Sequence, residues 1–422
     1  MKLAVVGGGW AGLAAAVRAT EAGHAVTLFE MAGQLGGRAR AVEVDGLELD
    51  NGQHILIGAY RRTLALMHAV GADAETLLLR RPLELRYPDG RGLRMPPGPA
   101  WLSFTRAVAG CRGWTARDRL ALITTAATWA LAGFRCAPQL TVQELCCRLP
   151  PAVRELLIDP LCVAALNTPA RDASGAVLLR VLRDALFGGP GSADLLLPRR
   201  SLASLLPIPA ESCLRAAGAE LRLGARVTRL DRVAQGWRLD GGTYEAVVLA
   251  CSAAEAARLA AEAAPAWSRA AGALRYEPIV TVYLRCPGAR LPAPMTALRE
   301  GPEAPAQFAF DHGAMCATPG LFAFVISGAQ RWVEAGLDAT ATTVLQQARH
   351  AFPPGTWPTA PVLLRVLAEK RATFRCTPGL VRPPAWVAPR LMAAGDYIEG
   401  PYPATLEGAV RSGEAAAALV TA

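Results

Sequence analysis

Apolar residues bunch rather than alternate at the start of this chain. Residues 3–6 form a short apolar run, residues 7–12 a glycine-rich turn, and residues 13–22 place apolar side chains at helical spacing. Gly23-His24 breaks that pattern, and residues 25–30 are a second apolar run, so the opening reads strand, turn, helix, strand. Residues 100–207 turn mainly helical, and residues 120–134 are free of charge, with Arg117 and Arg119 before them and Arg135 after. From Gly224 strand patterns return: residues 224–230 and 237–239 predict a hairpin, and residues 244–251 a buried strand. Residues 275–286 and 321–327 are β-rich, residues 339–352 predict a helix, and the four prolines within 353–361 predict an exposed loop. The last 30 residues repeat strand, glycine turn, helix.

Length bears on how these elements are grouped. At 422 residues the chain exceeds one ordinary domain, and two are expected. With 52% apolar and 19% charged residues it is too apolar for extensive disorder, and suited to an apolar substrate or a membrane surface. The formal charge of +9 rests on arginine, since the only lysines are Lys2 and Lys370. No basic tract is interleaved with stacking aromatics, so nucleic acid is not an expected partner. Ten cysteines lack any C-x-x-C spacing, and several sit in apolar runs, which predicts reduced core thiols and no metal site. Glycines interrupt the apolar N-terminus too early for a signal peptide, and no uncharged run is long enough to span a bilayer. A cytoplasmic protein is expected, with peripheral contact on the inner face of the membrane open to residues 100–135, where Trp101, Trp114 and Trp129 lie among arginines.

Candidate chemistry begins in the first turn. Gly7-Gly8-Gly9-Trp10-Ala11-Gly12 fits G-x-G-x-x-G between a predicted strand and helix. Gly7 permits the turn, Gly9 admits a pyrophosphate to the backbone, and Gly12 packs helix on strand, while the helix start at Trp10 and Ala11 offers unpaired N–H groups. Glu30, at the end of the second strand, can accept from a ribose hydroxyl. Gly36, Gly37 and Arg38 follow closely, supplying close backbone approach and a guanidinium for phosphate or ring.

Glu30 with Gly36-Gly37-Arg38 resembles the extended flavin fingerprint of amine oxidases, protoporphyrinogen oxidases and phytoene desaturases. Gly395-Asp396 followed by Thr405-Leu406-Glu407-Gly408 resembles the second flavin motif of that superfamily, and Val227 matches the position whose backbone meets adenine. Segments 49–60, 160–169 and 369–374 are similar to the squalene-associated branch, the bacterial hydroxysqualene dehydroxylases, and place Gln53, His54 and Ile55 at the flavin.

The resemblance implies an α/β fold: a discontinuous Rossmann-like FAD-binding domain (1–90, 208–265 and 386–422) with an inserted α+β substrate domain (91–207 and 266–385), amine-oxidase-like in arrangement. It implies FAD as cofactor and reductive removal of the allylic hydroxyl of hydroxysqualene to give squalene, with hydride leaving reduced flavin N5. Hydroxide leaves poorly, so a proton donor is needed, and the developing allylic cation needs a dry pocket. His54 is the expected donor, with Asp50 to orient it, Lys370 near the flavin and Asn167 lining the cavity or donating to the hydroxyl. A carotenoid desaturase, an amine oxidase and a flavin-binding lipid carrier are the competing readings. No second G-x-G-x-x-G stands out, so the electron donor is left open.

Overall fold

Strand Lys2–Val6 is buried on both faces after its first residue, which is why its sequence is a continuous apolar run. It lies at the centre of a six-stranded sheet whose order is Glu220–Leu223, Ala25–Glu30, Lys2–Val6, Ala246–Leu249, Leu391–Ala393 and Trp386–Ala388. The first five strands run parallel, and only the last pair is antiparallel. The computed structural model describes residues 1–240 and 242–421, and includes this sheet in full.

Helix Trp10–Glu21 buries Leu13, Ala14, Ala15, Ala16 and Val17 between the sheet and neighbouring helices. The final helix, Leu406–Thr421, packs beside it on the same layer. That contact depends on one glycine: a Cβ on Gly413 would lie 2.1 Å from the carbonyl oxygen of Ala11. The two ends of the chain are thereby joined backbone to backbone.

A second sheet has the order Met295–Ala297, Phe308–Asp311, Leu321–Ile326, Tyr276–Arg285 and Val362–Phe374, antiparallel throughout. Helix Leu337–Ala351 covers it, over a core that includes Val280, Phe322, Phe324 and Val344. Helices Ala100–Ala109, Ala116–Leu131, Asp159–Leu166 and Gly175–Phe187 form a further layer, packed on one another. Segment Leu195–Pro198 pairs with both Leu56–Ile57 and Leu78–Arg81. Among the described residues no helix is long and apolar enough to cross a membrane.

The predicted elements and the structure differ in several places. The uncharged run begins inside a helix already started at Ala116, where Thr115 and Asp118 cap each other's backbone N–H groups. Residues 225–229 are not a strand; the hairpin starts at Leu230, pairing Leu230 with Leu239. Strands Glu220–Leu223 and Val362–Phe374 were not predicted. Both are sheet edges, and charged side chains on an edge mask the apolar pattern.

Replacing Gly413 with Ala should destabilise the protein by about 1–3 kcal/mol, because the new methyl meets backbone rather than a yielding side chain. Gly33→Ala, where an added Cβ meets nothing within 4 Å, should leave the melting temperature nearly unchanged. Differential scanning calorimetry of the two variants distinguishes these outcomes.

Candidate functional site

The carboxyl ends of Lys2–Val6 and Ala25–Glu30 open onto a cavity of about 690 Å³, where ligands of open α/β sheets bind. Gly7 turns the chain out of the first strand at φ +112°, with the site of a Cβ only 2.7 Å from the backbone of Ala250. A Cβ on Gly12 would stand 1.8 Å from the Gly7 carbonyl oxygen, so helix and turn close to a distance only glycine allows. Leu13 is the first residue to return its N–H to the turn, donating to Gly9 at 2.9 Å. The N–H groups of Trp10 and Ala11 remain for a ligand, and no acidic side chain in that first turn competes for them.

A second glycine turn is fastened onto the first. Gly36 donates to the Gly8 carbonyl at 2.9 Å, and a Cβ on Gly37 would lie 3.1 Å from the Cα of Gly9. Glu30, buried beneath both, accepts from Gly8 at 2.7 Å and from Ala32 at 2.8 Å. Arg38 reaches across to the far end of the chain: its guanidinium donates to Asp396 at 2.6 Å and to the Ala372 carbonyl at 2.6 Å. Beyond Asp396, Thr405 accepts from Gly408 at 2.9 Å and starts the terminal helix. Gly7, Gly9, Trp10, Ala11, Glu30, Gly36, Gly37, Arg38, Gln53, His54, Ile55, Val227, Gly395, Asp396, Thr405 and Leu406 all border this one cavity. Gly12 alone of the expected cofactor residues does not, since it acts through packing.

These residues fit a flavin dinucleotide. Two helix N-termini and a glycine cradle converge from opposite ends of the chain, as a long anionic ligand with a polar ring requires. Gln53 Oε1 and Tyr397 Oη are buried without a partner, and both residues line the cavity. The Val227 carbonyl already accepts from Arg258 at 2.9 Å, which leaves its N–H as the backbone group for a ligand.

A family model described as flavin containing amine oxidoreductase matches residues 10–421. This chain belongs to that family. It is a flavin-dependent oxidoreductase with the amine-oxidase-like α/β fold that its motifs implied. The hydroxysqualene dehydroxylase of Rhodopseudomonas palustris is 29% identical over 99% of this chain and 98% of its own. That of Zymomonas mobilis is 27% identical over 98% of each chain. In fold it resembles an oxidoreductase from Methanosarcina mazei, with TM-score 0.71 at 16% identity, covering 98% of this chain and 99% of that one.

The four side chains expected to carry the flavoenzyme's chemistry have different surroundings. His54 lies on the cavity wall, with Nδ1 2.7 Å from the Gly52 carbonyl oxygen. A carbonyl only accepts, so Nδ1 carries the hydrogen and Nε2 is the acceptor in the neutral ring. Burial pushes the imidazole below its ordinary value, the Gly52 bond opposes this, and Arg38 adds to the lowering. His54 is therefore neutral near pH 7, which disagrees with its expected role as proton donor. Asp50 does not orient it: the Asp50 carboxylate accepts from the Leu202 N–H at 2.8 Å, and the residue does not border the cavity.

Lys370 is exposed and outside the cavity, whereas Glu369 and Arg371 line it, as alternation along a strand dictates. Asn167 does border the cavity, but its amide is spent. It donates to the Glu277 carbonyl at 3.1 Å and Thr373 at 3.0 Å, and accepts from Gly328 at 2.7 Å. It fastens a helix end, where it adopts φ 46°, to the second sheet.

Sequence reasoning missed Tyr60, Arg180, Asp184 and Tyr402, all on the cavity wall. A signal for two of them existed: Val177, Arg180, Val181 and Asp184 share one face at helical spacing, so a charged pair interrupts an apolar stripe.

Burial raises the Asp50 carboxyl to about 7, opposed by the Leu202 bond and reinforced by Glu48. The folded state thus holds this proton more tightly than the unfolded chain does. Stability is lost as pH rises from about 4 through 7, by on the order of 4 kcal/mol. Asp50→Asn keeps the acceptor for Leu202 and removes the charge. Its melting temperature should exceed that of the parent at about pH 8 and approach it at about pH 5. Parallel pH profiles for the two proteins would exclude this assignment.

Proposed function

We propose that this oxidoreductase binds FAD and uses its reduced form to replace the allylic hydroxyl of hydroxysqualene with hydrogen, releasing squalene and water. The observation that carries this reading is the continuity of the cavity. Its polar end is the glycine cradle, and much of its remaining wall is apolar, including Phe104, Leu122, Trp129, Phe134, Leu157 and Phe308. The names of the two bacterial relatives, which match over almost the whole chain, support the same substrate class.

The residues divide the work by chemistry. Trp10, Ala11 and the glycine turns hold the pyrophosphate through backbone N–H groups, Glu30 takes the ribose, and Arg38 with Asp396 closes the far side. Gln53 and His54 present acceptors to the ring edge. Bound there, the reduced flavin supplies hydride to the carbon bearing the hydroxyl. The apolar chamber excludes water, which would otherwise capture a developing allylic cation. Residues 1–90, 208–265 and 386–422 make up the cofactor part, and residues 91–207 and 266–385 the substrate part.

Trp101, Leu120, Leu131 and Phe187 are 56%, 63%, 91% and 53% exposed on helices or helix ends beside the chamber. With exposed Arg106, Arg117 and Arg135 nearby in sequence, they suit contact with an anionic bilayer, from which an insoluble isoprenoid would enter.

Anaerobic mixing of dithionite-reduced protein with hydroxysqualene should yield squalene by mass and return the flavin to its oxidised spectrum. Conversion of phytoene or an amine by the oxidised protein, with no squalene from the alcohol, would refute the assignment in favour of a desaturase or amine oxidase. Flavin that no isoprenoid alcohol reoxidises would point to a carrier. Glu30→Ala and Asp396→Ala should purify with less flavin, at least about tenfold weaker in retention, read from absorbance after gel filtration.

A further inference from the structure

Within the apolar chamber one group of polar side chains stands apart from the cofactor cradle. Arg180 and Asp184, one helical turn apart on Gly175–Phe187, are paired at 2.7 Å from Nε to Oδ2. Both line the cavity, and the Asp184 side chain is only 13% exposed. Tyr402 faces them: its ring lies 5.6 Å from the Arg180 guanidinium and 4.8 Å from that of Arg411. Tyr60 meets the same ring edge-on at 6.4 Å.

Tyr402 is also fixed with respect to the cofactor end. Its carbonyl accepts from Thr405 Oγ1 at 3.0 Å, and Thr405 starts the terminal helix. A Cβ on Gly408 would stand 1.9 Å from that carbonyl oxygen, so the tyrosine backbone packs directly on the helix start. The cluster therefore lies where the polar and apolar ends of the cavity meet. His54, its imidazole lowered by burial and Nδ1 facing the Gly52 carbonyl, presents Nε2 as an acceptor.

We propose that Tyr402 and Asp184 grip the substrate hydroxyl, and that Tyr402 protonates it as the C–O bond breaks. This rests on the dehydroxylation proposed above. The substrate hydroxyl donates to Asp184 and accepts from the Tyr402 phenol. The C–O bonding pair leaves with oxygen, which takes the phenolic proton and departs as water. The reduced flavin, when bound, would supply the hydride for the new C–H bond and, as its second hydrogen, the proton that restores the phenol. Arg180 and Arg411, over the ring, stabilise the phenolate between these events. They act through Tyr402 and are positioning residues. Burial, a hydrogen bond with Asp184 and its charge raise the Tyr402 phenol, while Arg411 and Arg180 oppose this, so the group rests protonated.

The test uses reduced holoenzyme of the parent and of Tyr402→Phe. With hydroxysqualene, flavin reoxidation in the variant should slow about 100-fold or more, whereas reoxidation by ferricenium, which needs no proton from the protein, should be unchanged. An equilibrium measurement adds a readout independent of turnover. Asp184→Asn should weaken binding of hydroxysqualene to the oxidised holoenzyme about tenfold, while squalene, lacking the hydroxyl, binds as before. Tyr402→Phe that retains flavin and is reoxidised by hydroxysqualene at the parental rate overturns the proposal. So does an Asp184→Asn protein that loses alcohol and hydrocarbon equally. A parent enzyme that hydroxysqualene does not reoxidise removes the dehydroxylation itself, and the role of Tyr402 in it.

Discussion

The first and last helices of the chain lie side by side because glycine lets their backbones touch. Gly413 rests against the carbonyl of Ala11, and Gly12 against that of Gly7. Each contact is shorter than any side chain permits, so the separation of the helices is set by backbone atoms. Unpaired N–H groups at a helix start carry partial positive charge, and two such starts beside one cavity make a site that favours an anionic ligand. Arg38 and Asp396 join the same two ends through an ion pair at 2.6 Å. The cradle is thus built by chain closure, and the second sheet and helical layer complete the cavity around it.

Polarity changes sharply along that cavity. At the cradle the protein offers backbone donors and buried acceptors. In the chamber it offers leucine, phenylalanine and tryptophan. Ionisation is suppressed at the boundary: burial raises the phenols of Tyr60 and Tyr397 and lowers the His54 imidazole, so these groups stay neutral. Uncharged groups at this boundary are in keeping with the hydride chemistry proposed above. Asp184 is charged within it, with its side chain 13% exposed and flanked by Arg180 and Arg183, which offset its charge.

How much of this was legible depends on whether local pattern or tertiary contact sets each residue's role. The opening strand–turn–helix–strand and the terminal helix were legible, since continuous burial and glycine spacing write themselves into a short window of sequence. Strand Val362–Phe374 was not, because Arg365, Glu369, Lys370 and Arg371 on a sheet edge hide its alternation. The same alternation, once seen, turns Lys370 outward and brings Glu369 and Arg371 to the cavity. Asp50 and Asn167 were singled out by residue type within resembling segments, yet Leu202 takes the carboxylate of one and three long-range bonds absorb the amide of the other. Contacts of that sequence separation leave no local trace. Tyr402 was passed over because it precedes its motif by three residues, and only the fold sets it against helix Gly175–Phe187.

In the proposed function both ends of the polypeptide hold a single FAD. The most direct measurement is the molar ratio of FAD to protein, obtained by chromatography of the cofactor released on denaturation, before and after reconstitution. One FAD per chain is predicted. A colourless protein that releases no flavin, and takes up none when FAD is supplied in excess, would contradict the account.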